Sequence, residues 1–419
     1  MSNIMSAGPV AWRRLNRGVV LDILRAERPI SRTDLARRAR LSKPTISAIV
    51  EQLLARNLVS EIGLGSSRRG RRPVLLDLNP DARLVVGAEY RGHDLSLVLT
   101  NLDGTVLRRR LVPTATTAPR QVANALAQAV HGLYDPGELS RVLGVGVGIP
   151  GTVAMQTGVV ALSLNLGWNN VPLRQLVEQS LGLPIVVVNR CKVSALAESK
   201  RGVGRGIDDL VYVRVGTGIG SGLVVRGELF LGTSYAGELG HCTIDPDGPL
   251  CRCGNRGCLE ALASGPALAA RARKQLRDGH TSLLSDLCGG HVESITARMV
   301  AQAAQEGDTL ARQILAETGA FLGMAIGALI NLSNPQMVVL GGPVSQAGPF
   351  LIDPLREEVR RHSLSLLSRD VRLELSTLGN DAGPLGAATL VSEQLNDLLE
   401  WPEFPSIARY REAELAAAG

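Results

Sequence analysis

The first 80 residues contain three short stretches in which apolar positions recur at the 3.6-residue period of a helix. The first, residues 16–29, ends at Pro29, which cannot continue a helix. The second begins at Ser31, and Asp34 three residues later predicts a capping box. The third begins at Ser42, a predicted N-cap followed by a proline that the first helical turn tolerates. The apolar positions that this pattern turns inward are Val19, Val20, Ile23, Leu24, Ile46, Ile49, Val50, Leu53 and Leu54.

The second and third stretches are joined by a tight turn at residues 39–41, which is the spacing of a helix-turn-helix. Residues 58–80 follow as a strand, a tip rich in Gly, Ser and Arg, and a second strand, which predicts a β-wing. The second helix of such a unit enters the major groove, and arginines on a wing suit the narrow minor groove of A·T-rich DNA. We therefore expect a winged helix-turn-helix domain over residues 12–78. Its predicted DNA-binding residues are Ser42, Lys43, Thr45, Ser47, Arg68, Arg69, Arg71 and Arg72.

The positive charge of the chain is concentrated in this head. Residues 1–79 hold 15 basic and 6 acidic side chains, a net charge of +9, whereas the whole chain carries +6. A basic head on a slightly acidic body favours contact between the head and a polyanion such as double-stranded DNA. A solvated charged face would explain the charge by itself, but the arginine-bearing wing favours DNA binding.

From residue 83 onward the pattern changes to strands that alternate with helices, which is typical of an α/β domain. Two strand-rich halves predict two lobes with a cleft between them, the usual place for a small ligand. We assign residues 83–395 to this body and residues 396–419 to a C-terminal helical tail. We find no apolar run of the roughly 18 residues that span a membrane, and no apolar signal-peptide core at the N-terminus. The expectation is a cytoplasmic protein without membrane contact.

Three of the six cysteines lie within eight residues, which in a reducing compartment indicates metal binding. With an upstream histidine they form H-x9-C-x-C-x4-C, the donor set of a tetrahedral zinc site. Four protein ligands close the coordination shell, so the predicted Zn²⁺, one per chain, is structural. Gly254 and Gly257 allow the loop to fold back on itself. The predicted ligands are His241, Cys251, Cys253 and Cys258, and the other cysteines, Cys191, Cys242 and Cys288, are expected to be ordinary structural residues.

Five stretches of the body resemble motifs of the ROK family (repressors, open reading frames, kinases). They are GVGVGIPG, NLGWNNVPL, VGTGIGSGLV, AGELGH and CRCGNRGCLE, in the family's order. Because of its winged head, the chain is most similar to the repressor branch. The resemblance implies the α/β actin-like ATPase fold, which is that of sugar kinases and ribonuclease H, and a homodimer or homotetramer. It also implies that Glu238 and Glu260 hydrogen-bond sugar hydroxyls and that His241 serves both metal and sugar.

Two departures from the kinase members of this family argue against catalysis. The first concerns the D-x-G-G-T loop that binds phosphate in the kinases, which corresponds to the stretch GAEYRGHD. Here Glu89 stands in place of the Asp of the kinase loop. Tyr90, Arg91 and His93 are expected to crowd the turn, which in the kinases must approach the phosphates closely.

The second departure is in the stretch VVVNRCKVSALAE, where the kinases carry an Asn-Asp pair whose Asp is the general base. Asn189 is retained, but Arg190 replaces the Asp. A guanidinium stays protonated and cannot act as a base, so we expect no enzyme activity and no catalytic residue. Arg190 suits bidentate contact with a phosphate or carboxylate; the alternative is an internal ion pair, for example with Glu238. The predicted sugar-binding residues are Asn189, Arg190, Glu238, His241 and Glu260.

These observations predict a transcriptional repressor of sugar-metabolism genes that binds an A·T-rich pseudo-palindromic operator as a homo-oligomer. The expected effector is a sugar or sugar phosphate. It binds in a kinase-like cleft that lacks the catalytic base and is stabilised by the structural zinc. Two alternatives stay open: an ATP-dependent sugar kinase with a DNA-binding head, against which Arg190 argues, and a regulator that binds no effector and uses its body only for dimerisation.

Overall fold

The computed structural model describes residues 9–64 and 72–399. The elements of the head are α1 (Pro9–Glu27), β1 (Ile30–Ser31), α2 (Arg32–Ala39), α3 (Lys43–Ala55), β2 (Val59–Leu64) and β3 (Val74–Leu78). Three helices with an antiparallel β2–β3 pair confirm the predicted winged helix-turn-helix. The apolar positions expected inside the head are buried or half-buried, except Val19, which is 38% exposed.

Both predicted N-caps of the head are present. The Ser31 hydroxyl oxygen accepts a hydrogen bond from the backbone N–H of Asp34 at 3.1 Å, and the hydroxyl donates to the Asp34 carboxylate at 2.7 Å. The Ser42 hydroxyl accepts from the backbone N–H of Thr45 at 3.3 Å. These bonds satisfy donors that have no partner within the helix. They fix the first residues of α2 and α3, and with them the turn between the two helices.

The body is built on two five-stranded sheets with the same topology. Its strands are β4 (Leu84–Tyr90), β5 (Asp94–Asn101), β6 (Val106–Pro113), β7 (Val142–Ile149), β8 (Thr152–Ala154), β9 (Val159–Ser163), β10 (Trp168–Val171), β11 (Ile185–Asn189), β12 (Leu210–Val215), β13 (Ile219–Val225), β14 (Glu228–Phe230), β15 (Met337–Gly341) and β16 (Arg372–Leu375). The sheet orders are β11-β7-β4-β5-β6 and β14-β13-β12-β15-β16, with β10-β9-β8 as a small third sheet. In each large sheet an antiparallel meander is extended by two parallel strands, so the two halves confirm the predicted actin-like pair of lobes.

The helices of the body are α4 (Pro119–His131), α5 (Leu173–Leu181), α6 (Arg190–Arg201), α7 (Leu259–Ala263), α8 (Gly265–Arg277), α9 (Leu284–Leu287), α10 (Ala297–Gln305), α11 (Thr309–Ser333), α12 (Pro349–His362), α13 (Ser365–Ser368), α14 (Ala382–Glu393) and α15 (Leu395–Leu398).

Two of these helices, α6 and α14, lie between the large sheets and connect the lobes. Helix α14 packs on β4 and β7, α6 packs on β12 and β13, and the two helices contact each other. Their backbones approach closely, since a Cβ on Gly386 would lie 1.7 Å from the carbonyl oxygen of Val193.

Small residues in α11 bring this helix against α12. A Cβ on Gly319 would lie 2.3 Å from the carbonyl oxygen of Leu351, and a Cβ on Gly323 would lie 2.6 Å from that of Leu355. By length and composition α11 could cross a membrane, although polar residues interrupt it and it holds no continuous apolar run of 18 residues. However, 56% of its most apolar window is buried inside the fold, as in the core helix of a globular domain.

The head is attached to the body through α1, α14 and α15. Arg14 pairs with Asp397 at 2.7 Å, and Arg25 donates a hydrogen bond to the carbonyl oxygen of Ser392 at the end of α14. A shared hydrophobic cluster includes Val20, Leu24, Leu390, Val391 and Leu395. Because head and body share this cluster, a displacement of α14 would also move α1.

Candidate functional site

The four predicted metal ligands come together at one point. The ligand atoms of His241, Cys251, Cys253 and Cys258 all lie within 4.8 Å of one another. The sulfurs of Cys253 and Cys258 are 3.6 Å apart, and Cys251 Sγ lies 3.7 Å from His241 Nδ1. Tetrahedral zinc–sulfur bonds of about 2.3 Å place two sulfurs about 3.8 Å apart. The cluster therefore has the donors and the size to hold a metal ion.

Local backbone pairing explains why these ligands converge. Isolated β-bridges pair Thr243 with Cys258, and Leu250 with Arg256. A Cβ on Gly257, where φ is +60°, would lie 1.4 Å from the carbonyl oxygen of Asp245, so only glycine fits. The remaining cysteines, Cys191, Cys242 and Cys288, lie outside the cluster, and of these Cys242 is exposed and not buried.

A cleft of about 310 Å³ lies beside the metal cluster. This volume is at the low end for small-molecule sites and suits a ligand of about monosaccharide size. Its lining includes the five predicted sugar-binding residues, Asn189, Arg190, Glu238, His241 and Glu260. Further polar side chains of the lining belong to Thr152, Ser163, Asn165, Arg214 and Asn255.

Glu260 is held by the backbone of the neighbouring glycine turn. Its Oε2 accepts a hydrogen bond from the backbone N–H of Ile219 at 2.8 Å. A Cβ on Gly218 would lie 2.4 Å from the same oxygen, so a larger residue there would displace the Glu260 carboxylate. Because Cys258 is the N-cap residue of α7 and Glu260 lies in its first turn, the metal cluster and this carboxylate belong to one unit.

Glu238 lies in a more enclosed environment. Burial raises the pKa of its carboxyl group, although His241 and Lys192 act in the opposite direction. Lys192 is 3% exposed and donates a hydrogen bond to the carbonyl oxygen of Ser234 at 2.6 Å. This contact ties the segment before Glu238 to α6, so the position of the carboxylate depends on that helix.

Arg190 does not form the ion pair with Glu238 that the sequence left as an alternative. It lies near Arg214 on β12, which pairs with Glu89 on β4 across the two lobes at 3.7 Å. Burial, followed by the positive charge of Arg214, lowers the pKa of Arg190. Arg214 was not among the predicted site residues; the available signal was one charged residue in the otherwise apolar strand LVYVRV.

Asn189 is largely engaged by the protein itself. Its Oδ1 accepts hydrogen bonds from the backbone N–H groups of Cys191 at 2.7 Å and Lys192 at 3.3 Å, which caps α6. Its Nδ2 donates to the carbonyl oxygen of Gly151 at 2.7 Å. Direct contact between Asn189 and a sugar stays a prediction, but its structural role in starting α6 is evident.

The stretch that replaces the kinase phosphate loop differs from the expectation. Tyr90 does not crowd the turn; it is buried, and its ring stacks on Trp168 with centroids 6.4 Å apart. Alternate residues of a strand face opposite sides, and Tyr90 faces the core. Arg91 contacts the buried Glu89 at 3.3 Å, whereas His93 is exposed. An acid–arginine cluster therefore stands where the kinases have a phosphate loop.

Of the predicted DNA-binding residues that the structure describes, four lie at the start of α3 and Arg72 lies just before β3. Ser42 and Lys43 are exposed, whereas Thr45 and Ser47 are half-buried. The hydroxyls of Ser42 and Thr45 are 2.8 Å apart and belong to the helix cap. Ala48 is also exposed on α3 and was not predicted. Of the wing arginines, Arg72 is exposed, and Arg68, Arg69 and Arg71 lie outside the described residues.

Comparison with known proteins gives the family. The model of the ROK family matches residues 85–394, and that of the MarR family matches residues 15–69. The chain belongs to the ROK family. It is 32% identical over 402 residues to the xylose repressor of Caldicellulosiruptor bescii, covering 94% of this chain and 98% of that repressor.

Solved structures place the chain with the regulators of the family. The crystal structure of a ROK family transcriptional regulator, a homologue of Escherichia coli Mlc, matches with a TM-score of 0.81 and 30% identity, covering 93% of this chain and 98% of that one. A ROK family glucokinase from Streptomyces griseus, solved with glucose and AMPPNP, has a TM-score of 0.67 and 32% identity but covers 73% of this chain and 98% of its own. This chain, a ROK protein with a winged head, is thus a transcriptional regulator and not an enzyme.

Proposed function

We propose that this ROK protein represses sugar-metabolism genes and is controlled by a sugar or sugar phosphate bound in the cleft. The observation that carries the proposal is the arrangement of Glu238, Glu260 and His241 around one monosaccharide-sized cavity. Carboxylates accept hydrogen bonds from paired hydroxyls, which is the chemistry that a sugar offers. The related glucokinase was solved in complex with glucose, which supports a sugar as the ligand of this cleft.

Zinc is the metal that the ligand set fits best. Three thiolates and one imidazole, all from protein, form a closed structural site, and soft sulfur donors favour Zn²⁺ over Mg²⁺ or Ca²⁺. His241, Cys251, Cys253 and Cys258 would hold it. Bound there, the metal stiffens the loop that carries His241 and fixes the start of α7, and thereby holds Glu260 in place.

The route from cleft to head runs through two helices. Helix α6 begins beside the cleft at Arg190, packs against α14, and α14 ends where Arg25 of α1 binds the carbonyl oxygen of Ser392. A sugar that favours one spacing of the lobes would shift α14 and thus the head. In a cytoplasmic homodimer or homotetramer this changes the distance between two heads on a pseudo-palindromic, A·T-rich operator.

The experiment that tests this function is selection of duplexes from a random DNA pool by the full-length protein near physiological salt. We expect enrichment of an A·T-rich inverted repeat, and release of the selected duplex by a sugar or sugar phosphate. Failure to enrich any sequence, with and without sugars, would contradict the proposed function. The salt must be fixed because nonspecific phosphate contacts strengthen steeply at low salt.

Replacing Lys43 by Ala should weaken binding of the selected operator by about 1–3 kcal/mol. Lys43 is exposed at the N-terminal end of α3, the end that approaches DNA in this motif. Titration of a labelled operator measures the change, and Lys274→Ala on the exposed side of α8 is the matched control, which should bind as the wild type does. Equal affinities of both variants would argue against α3 as the recognition helix.

Replacing Glu260 by Gln should weaken the effector sugar about 10- to 100-fold while leaving operator affinity unchanged. A glutamine oxygen still accepts from the Ile219 N–H, so the turn is preserved, but the charge that strengthens bonds from sugar hydroxyls is lost. Calorimetry with the sugar that releases the operator provides the measurement. Glu228→Gln, an exposed exchange in β14, is the control. Unchanged sugar affinity would remove Glu260 from the site.

A further inference from the structure

Two buried arginines line the cleft, and among residues 9–64 and 72–399 only one of them, Arg214, has a carboxylate within ion-pair distance. Arg190 and Arg214 are 7% and 9% exposed, and Glu89 is 1% exposed. The Arg214–Glu89 ion pair is 3.7 Å long, which is beyond hydrogen-bond distance. Glu89 is also contacted by Arg91 at 3.3 Å. The single carboxylate is therefore shared between two arginines before Arg190 is considered.

At least one hydrogen-bond donor on each guanidinium group lacks a protein acceptor among the described residues. Arg214 Nε is buried without a hydrogen-bond partner among residues 9–64 and 72–399, and so is Glu89 Oε1. Within the same described ranges, the guanidinium of Arg190 makes neither an ion pair nor a hydrogen bond with the protein. A buried guanidinium is costly unless it is paired and hydrogen-bonded. The arrangement is thus one that an anionic ligand would complete.

The electrostatics of the two arginines differ in a way that fits this geometry. For Arg214, burial lowers the pKa, but Glu89, Tyr212 and Cys191 outweigh it and the pKa is raised overall. For Arg190, burial and the nearby Arg214 prevail and the pKa is lowered. Glu89 attracts both guanidinium groups, but its charge helps to offset the burial of Arg214 and does not offset that of Arg190. Both arginines line the cavity that also holds Glu238 and Glu260.

We propose that Arg190 and Arg214 form an oxyanion subsite that binds a phosphate or carboxylate group carried by the sugar effector. The inference rests on the proposed function and specifies the ligand class of the same cleft. Each planar guanidinium can donate two parallel hydrogen bonds to an oxyanion, and Glu89 holds Arg214 in orientation for this contact. Glu238 and Glu260 then accept from the hydroxyls of the same ligand, so one cavity recognises both parts of an anionic sugar.

Calorimetry on the full-length protein tests this subsite with matched probes: glucose, glucose 6-phosphate, gluconate, xylose, xylonate and inorganic phosphate. We expect a phosphate- or carboxylate-bearing probe to bind at least about tenfold more tightly than its neutral parent, as charged hydrogen bonds imply. The affinities of the phosphate-bearing probe and of the carboxylate-bearing probes, compared with each other, show which of the two oxyanions the subsite binds. Arg190→Gln should abolish this preference, so that an anionic probe and its neutral parent bind the variant with similar affinities. Arg190→Lys keeps the positive charge but loses the planar group that donates two parallel hydrogen bonds. This variant should therefore retain part of the preference for anionic probes.

The preference ratio is insensitive to a general loss of stability because both probes bind the same variant. Arg298→Gln, an exposed exchange in α10, is the matched control and should keep the wild-type ratio. Three outcomes would each contradict the proposed subsite. Neutral sugars bind as tightly as their anionic counterparts, the preference for anionic probes survives Arg190→Gln, or no probe binds at all. None of these outcomes bears on operator selection, which judges the proposed function separately.

Discussion

Exchange of Cys258 for Ser is expected to lower the affinity of the ROK protein for zinc by at least ~100-fold. A thiolate is lost from a four-ligand site in which Cys258 is fully buried and 3.6 Å from Cys253 Sγ. Cys258 is also the N-cap residue of α7, so the start of that helix and Glu260 should lose their fixed position. Sugar binding should fall with metal content, while the winged head keeps its operator affinity.

The measurement is metal content by mass spectrometry after dialysis against a chelator, with hydrogen exchange of residues 241–260 as the local readout. Cys242→Ser is the matched control, because this cysteine is next to His241 but exposed and outside the cluster. A Cys258→Ser protein that keeps its metal, or a Cys242→Ser protein that loses it, would show that the ligand set is assigned wrongly. Loss of metal without loss of sugar binding would contradict the role of zinc in positioning Glu260.

Exchange of Gly386 for Ala should destabilise the body by about 3 kcal/mol, which corresponds to a fall of about 6 °C or more in the unfolding temperature. The new Cβ would lie 1.7 Å from the carbonyl oxygen of Val193 in α6. Neither helix can retreat easily, because α14 packs on the first sheet and α6 on the second. The variant must separate the two helices, and this should also weaken the effect of the sugar on operator binding.

Thermal unfolding of the full-length protein measures the first effect, and operator release at saturating sugar measures the second. Gly137→Ala is the control: this glycine is exposed, its added methyl group would have no atom within 4 Å, and stability should change by no more than about 0.5 kcal/mol. Wild-type stability of Gly386→Ala would disprove the tight α6–α14 contact. Lost stability with an unchanged sugar response would instead place the coupling elsewhere.

Short-range patterns in the sequence predicted several features of the head and metal centre. The caps at Ser31 and Ser42 depend on donors three residues away, and a helix start is decided by such local bonds. The cysteine quartet is likewise defined by spacing and donor chemistry, and its four ligand atoms do converge. Repeated strand patterns indicated two lobes, because each half has enough local periodicity to specify its own sheet.

Other features depend on contacts that no local pattern contains. Tyr90 was expected in the turn but faces the core, because its side is set by the register of β4 against β5 and β7. Gly319 and Gly323 of α11 lie against α12, and nothing in the local sequence indicates which element covers them. The ion pair of Glu89 with Arg214 joins β4 of one sheet to β12 of the other, so it exists only once the sheets are placed.

Local sequence patterns were sufficient to predict the winged head, the metal ligands and the two-lobed body, because caps, periodicity and donor spacing act over a few residues. The replacement of the kinase base by Arg190 was instead implied by the resemblance to the ROK family. The three-dimensional arrangement was needed to show that Arg190 lies beside Arg214 and not with Glu238, and that the Asn189 amide caps α6. Electrostatic partners are chosen by distance and burial in space, and here both are set by how α6 and α14 hold the two sheets together.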